Sequence, residues 1–182
     1  MKNGDFLPVL LGLCCVWSSP LWAACNANIV LTKPDSIYID NFDGTVTDKE
    51  TALTWAKCSV GQTWVDNTAN DGSDDQCTGS ASTHTWKTAL EQAQSANGVS
   101  LLGQTDWRLP NVRELKSLAE TACYSPAINS SLFPSTVSNW YWTSSPYAAD
   151  AYDAWFVHFE VGYESANVKN SNHYVRLVRG GN

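Results

Sequence analysis

The sequence predicts an α+β fold: two short helices packed on antiparallel sheet, with long loops and disulfide staples. Three observations carry this. Strand-like alternation of apolar and polar residues occurs near both ends, a helical period replaces it in the middle, and four cysteines follow an apolar leader.

The leader comes first in the chain. Lys2 precedes the apolar run Phe6 to Trp17, which is too short to span a bilayer but has the length of a signal-peptide core. Ser18, Ser19 and Pro20 break it, and the small pair Ala23 and Ala24 suits a peptidase pocket. Residues 1–24 therefore read as a signal peptide and 25–182 as the mature domain, with no transmembrane span left after removal. Lipidation at Cys25 is the alternative, but Trp22 stands where a small residue is needed. The compartment expected is an exported one: periplasm, cell surface or medium.

Of six cysteines, Cys14 and Cys15 fall in the leader. Cys25, Cys58, Cys77 and Cys123 remain, an even set in an oxidising setting. Four cysteines allow three pairings. Cys58 with Cys77 is favoured because the polar stretch between them reads as a loop that a staple would hold; Cys25 then pairs with Cys123. A zinc site is disfavoured, since there is no Cys-x-x-Cys spacing and His84, His158 and His173 are scattered.

The elements follow in order. Asn26 to Pro34 has little pattern and reads as an extended arm tied down at Cys25. Ser36 to Asp48 alternates on either side of Asp43-Gly44, a hairpin signal. A calcium loop over Asp40 to Gly44 is disfavoured by Phe42, which occupies a ligand position, and the turn is the reading taken. Leu53 to Ala56 continues as a strand. From Trp86, the residues Ala89, Leu90 and Ala93 share one helical face, with Thr85 as N-cap and Gly98 as stop. A second helix is predicted from Pro110, through Leu115 and Leu118, to about Thr121. Beyond Pro134, strands are predicted around Trp140 to Ser145, Ala154 to Val161 and Tyr174 to Arg179, and the strands at the two ends of the domain are expected to pair. Trp55, Trp86, Trp107 and Leu115 are expected in the core. Arg108 is expected to offer its fork of donors to carbonyls or to Glu114.

Composition removes several functions. The formal net charge is -7, and no window clusters Lys and Arg, so nucleic acid is not an expected partner. The chain lacks a nucleophile elbow, His-Glu-x-x-His, a Walker loop and a dinucleotide fingerprint, which argues against an enzyme; no catalytic residue and no cofactor is assigned. Asp66, Asn67, Asp71, Asp74 and Asp75 supply the hard oxygens calcium prefers, but their spacing matches no defined loop, so a solvated loop is the reading taken and no metal site is assigned.

Several short motifs together resemble one family. They are Asp43 to Asp48, Leu53-Thr54-Trp55, Thr85-Trp86 with Ala89-Leu90, Asp106 to Pro110 with Glu114-Leu115, Pro126 to Asn129 with Phe133-Pro134, Tyr141 to Ser145, and Val175 to Gly180. In this order they resemble the Lcl C-terminal domain family, named after a collagen-like adhesin. The resemblance implies a C-type-lectin-like fold, similar in plan to the formylglycine-generating enzymes, and an adhesin-like role at a cell surface. The adhesin binds sulfated polysaccharide, which calls for a cationic surface; the acidic balance here directs the expectation to neutral glycan or protein.

Aromatic residues crowd the last third of the chain, and alternation predicts that one set of them packs the core while the other faces loops or solvent. Tyr147 to Asp153 and Tyr163 to His173 read as long polar connections rich in Tyr, Ser, Asn and Asp, the residues of adaptable binding surfaces. Tyr147, Tyr152, Asp153, Tyr163, Asn167 and His173 are the expected ligand contacts, with His173 in a polar turn and His158 on the solvent side of its strand. The function expected is an exported, non-catalytic binding module for a glycan or surface protein. The alternative is a structural or assembly subunit of a surface or pilus-like complex, in which an apolar patch is buried against identical or different chains and the protein forms a homo-oligomer.

Overall fold

The structure is a computed structural model and describes residues 23–66 and 75–181. The leader run, and Asn67, Asp71 and Asp74 of the acidic loop, lie outside the described residues.

In chain order, β1 (Ala24–Cys25) leads to the hairpin β2 (Tyr38–Asp40) and β3 (Thr45–Asp48), then β4 (Leu53–Ala56), β5 (Thr63–Val65), β6 (Gln76–Thr78) and β7 (Thr83–His84). Helices α1 (Trp86–Gly98) and α2 (Val112–Lys116) follow. The chain then returns to strands: β8 (Cys123–Tyr124), β9 (Trp140–Pro146), β10 (Asp153–His158), β11 (Tyr163–Val168), β12 (His173–Tyr174) and β13 (Val178–Gly180). The mixed α+β class holds.

Two sheets organise the described residues. One has the order β13-β4-β3-β2, so the last strand pairs with one from the first third of the chain, as expected. Its hairpin turns at Gly44, whose φ of 85° suits glycine and where a Cβ would meet Leu102 Cδ2 at 2.8 Å. The other sheet runs β11-β10-β9-β12-β7, with β12 parallel to β9. Disulfides join Cys58 to Cys77 and Cys25 to Cys123, with Cα atoms 5.4 and 3.9 Å apart. The second of these anchors β1 against β8. Glu120 fixes the arm beyond it: its buried carboxylate accepts the N–H groups of Thr32 and Lys33 at 3.0 and 2.6 Å.

Helix α1 opens on Thr85, whose hydroxyl accepts from Thr88 N–H, and it buries a stripe of Ala89, Ala93 and Ala96. Helix α2 corrects the expectation of a helix from Pro110 to Thr121. Asn111 caps it and Glu114 reaches back to the Asn111 N–H, a reciprocal box that places the first helical residue at Val112. It ends after Lys116: the Ser117 hydroxyl bonds Glu114 O at 2.7 Å, and Ala119 bridges to Ile128.

The aromatic strands also depart from expectation. Both faces of β9 and β10 are buried, rather than one. Tyr141 and Val157 join a core with Trp55, Leu115 and Phe133, while Trp142 and Phe156 join a second core with the α1 stripe, Trp107 and Leu109. A sheet with a helix and a second sheet on its two sides can bury both alternating sets. Trp55, Trp107 and Leu115 are core residues, whereas Trp86 is only partly buried at its edge.

Candidate functional site

Two connections that lie apart in sequence meet at one end of the β9-β10-β11 sheet. Tyr147 N–H donates to Asp153 O at 3.1 Å, and the Tyr147 ring stands edge-on to Trp155 with centroids 5.1 Å apart. Asp150 shapes the tip, its carboxylate accepting the Tyr152 N–H at 2.8 Å. Lys169, just past β11, donates its N–H to Tyr152 O at 2.8 Å and its Nζ to Ala151 O at 2.6 Å. That ammonium also lies 4.6 Å from the Trp86 ring centre, and Trp86 is pinned by Nε1 to Thr143 O at 2.8 Å. The result is a braced end carrying Tyr152 at 80 % exposure, beside the exposed Val168. Asp153 Oδ1 is buried at its base with no hydrogen-bond partner among the described residues.

The six residues expected to contact a ligand do not form one patch. Tyr147, Tyr152 and Asp153 gather at this end. Tyr163 stands opposite His158 at the other end of the hairpin, five residues along, or about 17 Å. The stretch from Tyr163 to Val168 is strand rather than loop, because pairing with β10 overrides its polar composition.

Asn167 and His173 lie apart from the Tyr152 tip on an aromatic face that Tyr163 borders at its far end and that all three histidines of the chain share. On it His173 lies 4.2 Å from Trp142, 5.0 Å from Trp140 and 5.5 Å from Phe156, ring centre to ring centre, while His158 packs 5.1 Å from Tyr163. His84 pairs with His173 across β7 and β12. His173 is 4 % exposed, which corrects its placement in a solvated turn. Its Nδ1–H donates to Asn172 O at 2.7 Å, leaving Nε2 to accept from Asn167 Nδ2 at 3.3 Å. Asn167 and His173 thus satisfy each other. Burial lowers the pKa of His84, His158 and His173; for His158 the neighbouring Glu160 opposes the shift in part. His158 is also more enclosed than expected, its side chain 12 % exposed.

Arg108, Arg176 and Arg179 are engaged within the fold. Arg108 grips Glu114 with two bonds of 2.7 and 2.8 Å and reaches Gly180 O at 2.9 Å. Arg179 bonds Asp106 at 2.7 Å. Arg176 is fully buried and donates to Ala56 O, Lys57 O and Thr136 Oγ1. Beside Arg108 an open cleft of about 680 Å³, lined by Leu90, Gln94, Trp107, Asn111 and Glu114, separates α1 from the run into α2. Sequence reasoning missed this cleft, since its walls come from segments whose contact depends on the fold. It also missed Lys57, which is buried between Asp40, at 2.5 Å, and Asp75. Asp75 is thereby held in an ion pair with the Lys57 ammonium. Among the described residues, no group of three His, Cys, Asp or Glu side chains is placed to hold a metal.

What these features define is a disulfide-braced α+β domain with an aromatic surface end, and among its described residues no helix is long and apolar enough to cross a membrane. The chain belongs to the Lcl C-terminal domain family, whose model matches residues 44–179. No curated protein matches its sequence.

Proposed function

We infer that the protein is an exported, non-catalytic binding module of C-type-lectin-like plan that recognises a neutral glycan or a surface protein through the end built by Tyr147, Tyr152 and Lys169. The observation that carries this is Tyr152, 80 % exposed on a tip whose backbone is held by Asp150 and Lys169. A large ring presented on a rigid support provides contact area with little ordering cost. Lys169, which holds the tip, lies against the Trp86 ring, Tyr147 packs on Trp155, and the charge of -7 favours neutral ligands over sulfated chains.

The test is a glycan array and a surface-protein panel, read with the wild type and with Tyr147→Ala and Tyr152→Ala. Loss of binding at unchanged melting temperature supports the reading. Binding retained in both variants removes it. A second reading, an assembly subunit, draws on the consecutive exposed residues Ile29, Val30 and Leu31 of the arm. An array without hits, together with higher-order assembly abolished by Val30→Asp, would favour it.

A further inference from the structure

Strand β11 is the outer edge of the five-stranded sheet, and among the described residues no strand pairs with its far side. Exposed edges are ordinarily blunted by proline, lysine, a bulge or a covering segment. Tyr163-Glu164-Ser165-Ala166-Asn167-Val168 contains neither proline nor lysine, and its register against β10 is unbroken over six residues.

The hydrogen-bond phase identifies which groups face outward. Lys169 N–H donates to Tyr152 O at 2.8 Å, and Phe159 N–H donates to Asn139 O at 3.0 Å on the other side of β10. Antiparallel pairs alternate, so Tyr163, Ser165 and Asn167 turn their backbone groups toward β10, while Glu164, Ala166 and Val168 turn theirs outward. The two ends of this outward row are already engaged. Gly162 O accepts from Lys116 Nζ at 2.6 Å, Val168 N–H donates to Asn167 Oδ1 at 2.7 Å, and Val168 O accepts from Ser171 N–H at 2.9 Å. The open groups are the Glu164 carbonyl and the N–H and carbonyl of Ala166, while the Glu164 N–H is held by its own carboxylate, which Lys116 also holds.

We propose that this edge pairs with β11 of a second copy of the chain, antiparallel, with the two Ser165 residues facing each other across a two-fold axis. Glu164 of each copy then lies opposite Ala166 of the other; the Ala166 N–H of each donates to the open Glu164 O of its partner, and two further bonds, four in all, form as each Glu164 N–H leaves its own carboxylate. Ser165 meets its counterpart at the closer, non-bonded spacing of about 4.5 Å between Cα atoms, and Tyr163 meets Asn167. A register centred on Ala166 would set Glu164 against Val168, whose groups are taken. A register shifted by one residue would oppose outward to inward groups, which antiparallel pairing does not allow. The two Glu164 carboxylates fall on a diagonal rather than opposite, each held by Lys116 at 2.5 Å. The contact is isologous and short, so association is weak and concentration-dependent, as for interfaces below about 1,200 Å². It centres on Ser165, whereas the Tyr152 tip adjoins only the Val168 end of the strand, and its test reads mass and cross-linking rather than ligand binding, so the two readings fail separately.

The test uses the protein expressed as the full chain and purified with its disulfides formed. Sedimentation equilibrium from about 10 µM to about 1 mM, the range of weak contacts, is expected to show mass rising from one copy toward two. Ala166→Pro removes two of the four bonds and is expected to weaken association about tenfold or more. Ser165→Cys is expected to give a covalent dimer on mild oxidation, seen on a non-reducing gel, whereas Asn170→Cys stays monomeric. If Ala166→Pro fails to fold, Ser165→Cys decides alone. A wild type that remains monomeric without a Ser165→Cys cross-link overturns the proposal. So does a dimer that a folded Ala166→Pro leaves undiminished.

Discussion

The imidazole of His173 lies 4.2 Å from the indole of Trp142, tilted by 39°, in a face where burial disfavours its protonation. Its pKa is lowered from the ordinary 6.5, so near and below that value the unfolded chain binds more protons than the fold does. The stabilisation from neutral His173 is therefore complete above about 6.5 and is lost as pH falls from there through the folded value. His84 and His158 act in the same direction. Melting scans between pH 7.5 and 5 are expected to show falling stability, at most about 1.4 kcal/mol per pH unit for each histidine. His173→Phe, which keeps a ring in place, is expected to flatten the slope; an unchanged slope would assign the effect elsewhere.

Glu114 closes both the cap of α2 and the fork of Arg108. Burial raises its pKa, but the bonds from Arg108 and the Asn111 N–H outweigh this, and the net direction is down. Its contribution is present above the ordinary carboxylate value and is lost as pH falls through the folded one. Glu114→Gln is expected to cost about 1 to 2 kcal/mol in urea unfolding at pH 7 and less at pH 3. Equal costs at both pH values would show that charge is not what the site uses.

Lys57 is 1 % exposed and holds Asp40 and Asp75. Lys57→Met is expected to cost about 3 to 5 kcal/mol, because the enclosed carboxylate of Asp75 and the partly buried one of Asp40 lose their counter-charge. Adding Asp40→Asn and Asp75→Asn should restore a large part of this. A triple variant no more stable than the single one would locate the cost in packing of the lysine stem.

Trp107 lies in the core beneath α1, and Asn97 clamps its backbone by accepting the N–H at 2.7 Å and donating to the carbonyl at 2.9 Å. Trp107→Ala is expected to cost about 3 to 5 kcal/mol and Asn97→Ala about 1 to 2. Calorimetry of both variants measures this directly, and neither should alter binding at the Tyr152 tip except through unfolding.

Local chemistry made much of the fold legible. Asp43-Gly44 marked the hairpin, Thr85 marked the start of α1, and Trp55, Trp107 and Leu115 read as core from their periods alone. The favoured disulfide pairing also emerged from the loop between Cys58 and Cys77. What escaped depends on partners far along the chain. A polar run such as Tyr163 to Val168 becomes strand because β10 lies beside it, and His173 is enclosed by Trp140, Trp142 and Phe156 from two other strands. The same limit split the expected contact residues, since pattern shows which side of a strand a residue takes but not which end of the sheet a loop reaches.

The clasp of Glu120 on Thr32 and Lys33, together with the bridge from Cys25 to Cys123, has a consequence for the order of assembly. A chain grows from its N-terminus, so the arm exists long before the groups that fasten it, which lie about ninety residues later. Through that interval the Cys25 thiol stands open while Cys58 and Cys77, nineteen residues apart, can close first. In refolding the whole chain is present and the shorter loop still costs less entropy to close, so a quench with a thiol-blocking reagent is expected to trap species carrying free Cys25 and Cys123 with the Cys58–Cys77 loop already sealed.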